Sequence, residues 1–452
     1  MSRCLVLGAR GYVGTLLTPA LRAAGHAVRT MSRSQPPGPD AVRGDVADGA
    51  ALDRAMSDVD VVYHLVHSMD RADYAAVDAD IARGVAAAAA RAGVRQIVYL
   101  GGPSPVDQPM SEHLASRTEV GEVFLAGPVP ALVLRAAMVV GAGSTSFELL
   151  ARAARSAPIV LRPSWMDNRS RPIAVRDVLY HLVRAASSGP VTMAADIAGP
   201  ETVTYLELVQ RCARIAGLPR RVPVPVAGIP VAATAAAVTD LPVPLVRALV
   251  ESLKHDLVPS EVLDPPPGGG TSLDRALREA LGVGDPPAMP DEGTPGVIRQ
   301  VRRERVAAPR AALAERIAEV GGKRGWPGIP GAFALRGAID HLIGGVGLHR
   351  GRPTTLTVGD TVDSWTVAGR TEHELTLVSD VRMPGKAWLR LSALPGRTSA
   401  ESELEQTVAF APDGLPGRLY WHLRKPAHDM VFAALALGLA RETTREAMTG
   451  RR

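Results

Sequence analysis

The stretch Leu5–Gly14, "LVLGARGYVG", decides the fold of the first half of this 452-residue chain. An apolar run leads directly into glycines at positions 8, 11 and 14, and a helical pattern follows. Glycine lets such a turn close tightly and lets the backbone approach a pyrophosphate, which then rests on the N–H groups at the positive end of a helix. The stretch therefore predicts a dinucleotide-binding loop. The alternative interpretation is a glycine-rich turn that holds no ligand.

Short apolar runs alternate with helical patterns from this loop to about residue 200. Three of the candidate strands are "VDVVYHLV" (59–66), "RQIVYLGG" (95–102) and "ALVLRAAMVVG" (131–141), and "IVLRP" (159–163) is another. Runs that are apolar at every position suit parallel strands that are covered on both faces. The sequence therefore predicts an α/β fold, a Rossmann-type doubly wound parallel sheet.

Proline and glycine become frequent between about residues 218 and 320, which predicts loops and a linker around a few helices. We divide the chain into a dinucleotide-binding domain (1–260), a linker with helices (261–320) and a second domain (321–452). The pattern "LVRALVESLKH" (245–255) predicts a helix that packs on the first domain. The basic stretch 299–317 is interpreted as a solvated helix.

The second domain shows period-two alternation, which is typical of antiparallel strands. The pattern recurs in "DTVDSWTVAGR" (360–370), "HELTLVSDVRMPG" (373–385) and "ESELEQTVAFAP" (401–412). A long amphipathic helix follows in 425–442, with Pro426 suitably placed at its start. We expect an α+β domain whose curved sheet wraps a long helix and encloses an apolar cavity.

The amino-acid composition indicates which classes of partner and which cellular compartment to expect. The net charge is +5, but the aromatic content is only 4%, which disfavours nucleic-acid binding. Two cysteines cannot build a disulfide framework, so a reducing cytoplasm is expected. No apolar run reaches the length of a membrane-spanning helix. The nearest candidate, 226–239, is interpreted as a buried helix, with peripheral membrane contact as the alternative.

The end of the second strand, "RTMSRS" (29–34), indicates which dinucleotide is preferred. A site selective for NAD normally carries Asp or Glu there, to hold the ribose hydroxyls. Arg33, helped by Arg10 and Ser32, is instead predicted to pair with a 2′-phosphate through charge-assisted hydrogen bonds, which favours NADP(H). The alternative is that Arg33 is a solvated loop charge.

Several further strings carry a family resemblance. They are "GDVADGAALDRAM" (44–56), "VVYHLVHSM" (61–69), "AGVRQIVYLGG" (92–102), "LRAAMVVGAGSTSFE" (134–148) and "RPIAVRDV" (171–178). Together with the glycine loop, they make the first ~215 residues resemble an atypical extended short-chain dehydrogenase/reductase of the NmrA-like, NAD(P)H-binding group. The resemblance implies a cofactor site formed by Gly8, Arg10, Gly11, Tyr12, Val13, Gly14, Ser32, Arg33, Asp45, Val46, Leu65, Val66 and Gly101.

Residues from about 320 to 445 resemble the domain that often follows such reductases, which looks related to START-like, helix-grip ligand binders. The resemblance rests on "DSWTV", "RMPGKAWL" and "GLPGRLYWHLRKPAHDMVF". It implies an apolar small molecule as the ligand or substrate in a C-terminal cavity.

The stretch "SEHLASRTEVG" (111–121) departs from the pattern of working members of the reductase family, which use a Tyr and, four residues later, a Lys. His113 and Arg117 hold the i and i+4 positions on one helix face instead. Our hypothesis makes them the catalytic residues, with His113 as proton donor and Arg117 binding the nicotinamide ribose or an anionic substrate oxygen. The alternative is that His113 packs or contacts the cofactor. After the fifth strand, only Ser104 lies where the family keeps its serine.

The function predicted from these features is an NADPH-dependent oxidoreductase that transfers hydride to a carbonyl or enone of an apolar small molecule. The alternative, suggested by the missing Tyr and Lys, is a non-catalytic NADPH-binding redox sensor or assembly protein. His64 and His67 with Asp70 lack a further ligand nearby, so no metal site is predicted.

Overall fold

The computed structural model describes residues 1–68, 73–104, 110–156, 158–226, 243–259, 261–322, 324–328, 355–381 and 383–450. The chain forms two compact units, Met1–Val283 and Gly284–Arg452. The division falls inside the segment predicted as a linker, 261–320. That segment contributes a helix to the first unit and a strand and a helix to the second. The functional limits of the domains, 1–260 and 321–452, stay predictions.

The first unit alternates strands and helices. Its strands are β1 Arg3–Leu7, β2 Ala27–Ser32, β3 Ala41–Arg43, β4 Val61–His64, β5 Gln96–Gly101, β6 Ala131–Arg135, β7 Val139–Val140, β8 Ile159–Arg162, β9 Arg169–Ser170, β10 Ile173–Ala174, β11 Met193–Asp196, β12 Val203–Thr204 and β13 Val222–Pro225. Its helices are α1 Tyr12–Ala23, α2 Gly49–Met56, α3 Tyr74–Arg91, α4 Glu112–Leu125, α5 Thr145–Ser156, α6 Val175–Ala185, α7 Tyr205–Ile215, α8 Val243–Ser252 and α9 Leu273–Leu281.

Seven of these strands form one parallel sheet in the order β11–β6–β5–β4–β1–β2–β3. The order reverses beside β1, which pairs with β2 on one side and with β4 on the other. Ligands of such sheets bind beyond the carboxyl ends of the strands at this reversal. The predicted Rossmann-type doubly wound fold is confirmed.

Both faces of the sheet are covered, which explains its apolar strands. Leu5 and Leu7 of β1 pack with α2, α3 and α4 on one face. Cys4 and Val6 point to the other face and pack with α1 and α6. Alternate residues of a strand point to opposite faces, so a strand covered on both sides is apolar throughout.

A third hydrophobic core lies beyond the carboxyl ends of the strands, next to the candidate functional site. It is built from α5, α7 and α9 together with Met138, Val140 and Met166. The predicted strand 131–141 divides here, because β6 stays in the main sheet whereas β7 pairs with β10. The predicted strand "IVLRP" exists as β8, but it pairs with β13 and not with the main sheet.

The second unit is an α+β assembly with an antiparallel sheet, as predicted. Its described elements are β14 Ile298–Val306, α10 Arg310–Ala318, β15 Thr361–Val362, β16 Trp365–Arg370, β17 Glu374–Ser379, β18 Gly385–Pro395, β19 Ser402–Pro412 and α11 Gly414–Thr449. The strand order is β14–β19–β18–β17–β16–β15. Both helices pack on the sheet through a core that includes Leu313, Leu389 and Leu435.

The predicted solvated helix 299–317 is wrong: its first half is a strand, and the helix that follows buries Leu313 and Ile317 in the core. Residues 298–306 form β14, which pairs with β19 along its whole length. Val301, Arg303 and Arg305 are exposed and alternate with less exposed neighbours, and Arg303 forms an ion pair with Glu405 at 2.7 Å. Cross-strand pairing therefore decides the conformation of these charged residues, and only the part after Pro309 is helical.

Pro426 does not start the last helix, because α11 begins at Gly414 and carries Pro426 in its interior. An interior proline removes the hydrogen bond to the carbonyl four residues earlier, here that of His422. Residues 422–427 are exposed, so water can satisfy this carbonyl. The helix therefore tolerates a proline at position 426.

No helix in the described ranges combines the length and the apolar character needed to cross a membrane. The candidate membrane-contacting stretch 226–239 lies outside the described residues except for Val226.

Candidate functional site

The glycine loop closes between β1 and α1. Gly8 has φ +81° and donates its N–H to the Met31 carbonyl at 3.2 Å, and the N–H of Gly11 returns to the Gly8 carbonyl at 2.9 Å. A Cβ on Gly8 would lie 2.9 Å from the carbonyl oxygen of Leu65. The left-handed conformation and this close approach to the end of β4 both require glycine.

Gly14 allows α1 to start directly against the turn. A Cβ on Gly14 would lie 2.4 Å from the carbonyl oxygen of Gly8 and 2.8 Å from the Cα of Ala9. Within the described residues, the N–H groups of Tyr12, Val13 and Gly14 donate no hydrogen bond, and no side chain caps the helix at Gly11. Free N–H groups at the positive end of a helix form an anion site, which fits a pyrophosphate.

The residues predicted to hold the adenosine side lie beyond the end of β2. Arg10 donates from Nη1 to the Ser34 carbonyl at 3.1 Å, and Arg33 is exposed and forms no ion pair with a described residue. The buried hydroxyl of Ser32 has no hydrogen-bond partner. Asp45 accepts a hydrogen bond from the N–H of Ala47 at 3.0 Å, and Val46 is buried in the core below. Arg10 and Arg33 thus supply two guanidinium groups near the end of β2, where the ribose is expected.

A cavity of about 610 Å³ opens from the glycine loop. It passes the ends of β4 and β5, reaches α4, and continues into an apolar chamber between α5, α7 and α8. No carboxylate of a described residue lines it. Of the predicted site residues, it touches Gly11, Tyr12, Val13, Gly14, Leu65, Gly101, His113 and Arg117, whereas Gly8, Arg10, Ser32, Arg33, Asp45, Val46 and Val66 lie outside it.

His113 is held on the cavity wall by a residue that the sequence analysis missed. Its Nδ1 lies 3.0 Å from the hydroxyl of Ser252 at the end of α8. The Ser252 hydroxyl also lies 3.0 Å from the Ala248 carbonyl, to which it can donate, and 3.2 Å from the Ser111 hydroxyl. The predicted helix 245–255 does pack on the first unit, but a single serine in it gave no signal of this pairing.

His113 is neutral at pH 7. Burial, together with the charges of Arg117 and His67, lowers its pKa to about 4. At pH 7 only about one molecule in a thousand would carry an imidazolium at this position. The role of His113 as proton donor stays a prediction. Because its pKa is low, the neutral imidazole is the form that predominates at pH 7.

His64, at the end of β4, is also buried, and it packs against the rings of Tyr99 and Phe124. Burial, together with the charges of Arg117 and His67, lowers its pKa to about 3. No group of three or more metal-ligating side chains occurs in the described ranges. Asp70, the third residue considered with His64 and His67, lies outside them.

Arg117 brings a permanent positive charge to the cavity. Its Nη2 donates to the Leu100 carbonyl at 3.3 Å, and its guanidinium lies 5.5 Å from the centre of the Tyr99 ring. No carboxylate of a described residue pairs with it. Ser104, the possible replacement for the family serine, is hydrogen-bonded to the Thr118 hydroxyl at 2.8 Å. Arg117 is therefore the charged group available to a ligand at this end of the cavity.

Tyr12, which the sequence analysis assigned to the cofactor site, lines the cavity and carries a phenol hydroxyl. A Cβ on Gly141 would overlap this hydroxyl at 2.1 Å, so the glycine after β7 makes room for it. Burial raises the pKa of Tyr12 to about 12. The hydroxyl is thus a neutral hydrogen-bond donor at every physiological pH.

Comparisons with known proteins find matches for both parts of the chain. The model of the "NAD dependent epimerase/dehydratase family" matches residues 4–120, and that of "Protein of unknown function (DUF2867)" matches residues 298–435. A (4-alkanoyl-5-oxo-2,5-dihydrofuran-3-yl)methyl phosphate reductase of Streptomyces griseus is 31% identical over 226 residues, which are 48% of this chain and 75% of that protein. A ceramide reductase of Caulobacter vibrioides is 28% identical over 248 residues, 52% of this chain and 76% of that protein.

Similar folds occur among solved structures. A short-chain dehydrogenase/reductase superfamily protein from Agrobacterium tumefaciens with bound NAD has a TM-score of 0.42 at 21% identity, and the match covers 56% of this chain and 96% of that one. The RMD protein from Pseudomonas aeruginosa, complexed with NADPH, has a TM-score of 0.41 at 18% identity, with 56% and 99% covered.

The fold and the loop define a nicotinamide-dinucleotide-binding protein of the Rossmann class. The N-terminal part of the chain, residues 4–120, matches the NAD-dependent epimerase/dehydratase family, and residues 298–435 match the DUF2867 family.

The first prediction concerns the close contact at Gly14. Gly14→Ala should weaken NADPH binding about tenfold or more, because the new methyl group must push the start of α1 away from the turn. Gly84→Ala is the matched control, since Gly84 is exposed in α3 and its Cβ would meet no atom within 4 Å. Nucleotide titration of both variants, with melting temperatures, measures the effect. Equal NADPH affinity in the two variants would refute the assignment of the loop.

The second prediction concerns the charge of His113. In histidine-labelled protein, the His113 signal, assigned as the one missing from His113→Gln, should not titrate between about pH 5.5 and 8, because its pKa is about 4. Arg117→Met should raise this pKa only partly, since burial is the larger cause. A His113 midpoint near 6.5 in the wild-type protein would show that the imidazole is solvated and not buried.

Proposed function

We propose that this protein is an NADPH-dependent reductase, which transfers hydride to the carbonyl or enone of an apolar small molecule. The observation that carries the proposal is the single cavity that joins the glycine loop to His113, Arg117 and the apolar chamber. Hydride transfer requires the nicotinamide and the substrate side by side in a site with little water. A cavity of this size is in the usual range for small-molecule sites.

NADPH is proposed over NADH because of the charges beyond β2. Arg33 is exposed and unpaired among the described residues, and Arg10 has only a backbone carbonyl as partner. No acidic residue ends β2 to hold two ribose hydroxyls. A 2′-phosphate would be a negatively charged partner for the two guanidinium groups, which have none among the described residues.

Bound NADPH would supply the hydride. The residues of the protein would bind the substrate, orient it and stabilise the charge that develops on it. As the carbonyl bond opens, negative charge develops on the substrate oxygen, and Arg117 is placed to stabilise it. Neutral His113, held in place by Ser252, orients a polar group of the ligand at the cavity wall. The proton that completes the alcohol comes from His113 in the small fraction of molecules in which it is protonated, and otherwise from water, because the pKa of His113 lies well below neutral.

The two curated relatives support this choice of reaction. Both are named reductases, one of a phosphate that bears an alkanoyl group and one of ceramide. The chamber of this chain is lined by leucine, valine and isoleucine side chains together with Trp165 and Met166. It suits a substrate with a comparable apolar portion.

The finer assignments belong to the same proposal. We place the first unit in the NmrA-like subgroup and the protein in the cytoplasm. We propose that the second unit is a START-like binder of an apolar ligand. The antiparallel sheet packed on α10 and α11 supports this last point.

A second candidate function is non-catalytic NADPH binding. The observation in its favour is that α4 carries neither Tyr nor Lys and that its histidine is neutral. Such a protein would bind NADPH with the same loop and report its presence to a partner. It would leave carbonyl compounds unchanged.

The decisive experiment is a crystal structure of the protein with NADPH, combined with a hydride-transfer assay. Medium-chain ketones and enones are incubated with NADPH that is deuterated at the reactive nicotinamide carbon. We expect deuterium in the alcohol product and an open nicotinamide face toward the chamber. A nicotinamide whose face is covered by protein, with no deuterium transferred to any probe, would favour the non-catalytic function.

The third prediction concerns cofactor preference. Arg33→Ala should weaken NADPH binding about 10- to 100-fold and leave NADH binding unchanged, because only NADPH carries the 2′-phosphate. Arg22→Ala is the matched control, since this exposed arginine lies at the opposite end of α1. Fluorescence titrations with both nucleotides give the ratio. An unchanged NADPH preference in Arg33→Ala would remove Arg33 from the site.

A further inference from the structure

The cavity wall in the chamber contains two hydroxyl groups that the proposed reaction does not use. Ser170 ends β9 and Tyr205 is the first residue of α7. The pairing of β9 with β12 aligns Ser170 with Val203, and the N–H of Tyr205 donates to the Asn168 carbonyl at 3.3 Å. The fold therefore fixes both residues close together on the cavity wall.

Both hydroxyls are buried, and neither meets the geometry of a hydrogen bond with a described residue. Ser170 is 0% exposed and Tyr205 is 5% exposed. Ser170 is near enough to oppose the rise in the pKa of Tyr205 that burial causes, yet the two groups do not meet the geometry of a hydrogen bond. A buried hydroxyl without a hydrogen bond is destabilising, so two in one place need a reason.

The residues around these two hydroxyls are mainly apolar. The ring of Trp165 meets the ring of Tyr205 edge-on at 6.2 Å, and Met166 and Leu257 line the same part of the cavity. Leu257 is bridged to Ser170, and Ser252, the partner of His113, lies five positions earlier in the chain. Five residues span at most about 18 Å, so one ligand can reach both sites.

We propose that Ser170 and Tyr205 form a neutral polar subsite that hydrogen-bonds an oxygen atom in the apolar part of the substrate. The substrate class is then an apolar chain with two oxygen functions: the carbonyl that is reduced near Arg117, and a second hydroxyl or carbonyl farther along. This inference rests on the proposed function, because it assigns the chamber to the substrate.

The second oxygen function is uncharged for a physical reason. No charged side chain among the described residues lines the chamber beside Ser170 and Tyr205. A carboxylate or phosphate buried there would have hydroxyl donors but no counter-charge, and an unpaired buried charge costs far more than a hydroxyl. A hydroxyl or carbonyl oxygen matches the two donors without that cost.

The test compares medium-chain methyl ketones with their analogues that carry a terminal hydroxyl, in the full-length protein without cofactor. Calorimetry gives the ratio of the two dissociation constants. We expect Tyr205→Phe and Ser170→Ala each to shift this ratio against the hydroxylated probe by about tenfold. Ser156→Ala is the matched control: Ser156 also lines the cavity, but its hydroxyl already donates to the Ala153 carbonyl at 3.2 Å, so the ratio should not change.

Tyr205→Phe keeps the ring that packs on Trp165, and an unchanged melting temperature verifies its fold. A ratio that is equal in the wild type and all three variants overturns the subsite, and so does a wild type that binds neither probe. NADPH titration and the deuterium assay on the same samples keep this result separate from the proposed function. A protein that reduces the plain ketone with an unchanged ratio in Tyr205→Phe remains a reductase but has no polar subsite.

Discussion

The contact between Gly14 and the carbonyl of Gly8 is the constraint on which the site depends. Because no side chain separates them, α1 begins directly at the end of β1, with its first N–H groups turned to the cleft. The strand order reverses beside β1, so the cleft opens there between β2 and β4. Both the cofactor loop and the cavity that leads to α4 follow from this placement.

Much of the first unit was predictable because its signals are local. The glycine spacing fixed the turn, and the apolar strands reported a sheet covered on both faces. His113 and Arg117 were expected on one helix face, and both reach the cavity. Their electrostatic state was not predictable, since the pKa of His113 depends on burial by residues remote in the sequence.

What the sequence analysis missed comes from long-range contacts. Ser252 meets His113 across 139 residues, and no pattern in either stretch encodes the pair. β14 was mistaken for a helix because its arginines and glutamate look like a charged helix face. Pairing with β19, more than 90 residues later, makes this segment a strand. Local propensity is overridden where a partner strand is available.

Arg117 has a consequence for how the cavity behaves in salt. A guanidinium keeps its proton at any pH at which proteins are stable, so this end of the cavity keeps its positive charge while both neighbouring histidines remain neutral. The described walls offer no carboxylate as counter-ion. Electroneutrality must therefore come from what enters: an anionic ligand when one is present, and small anions of the medium when none is. Ligand entry then becomes an exchange of anions, and its equilibrium moves with ionic strength.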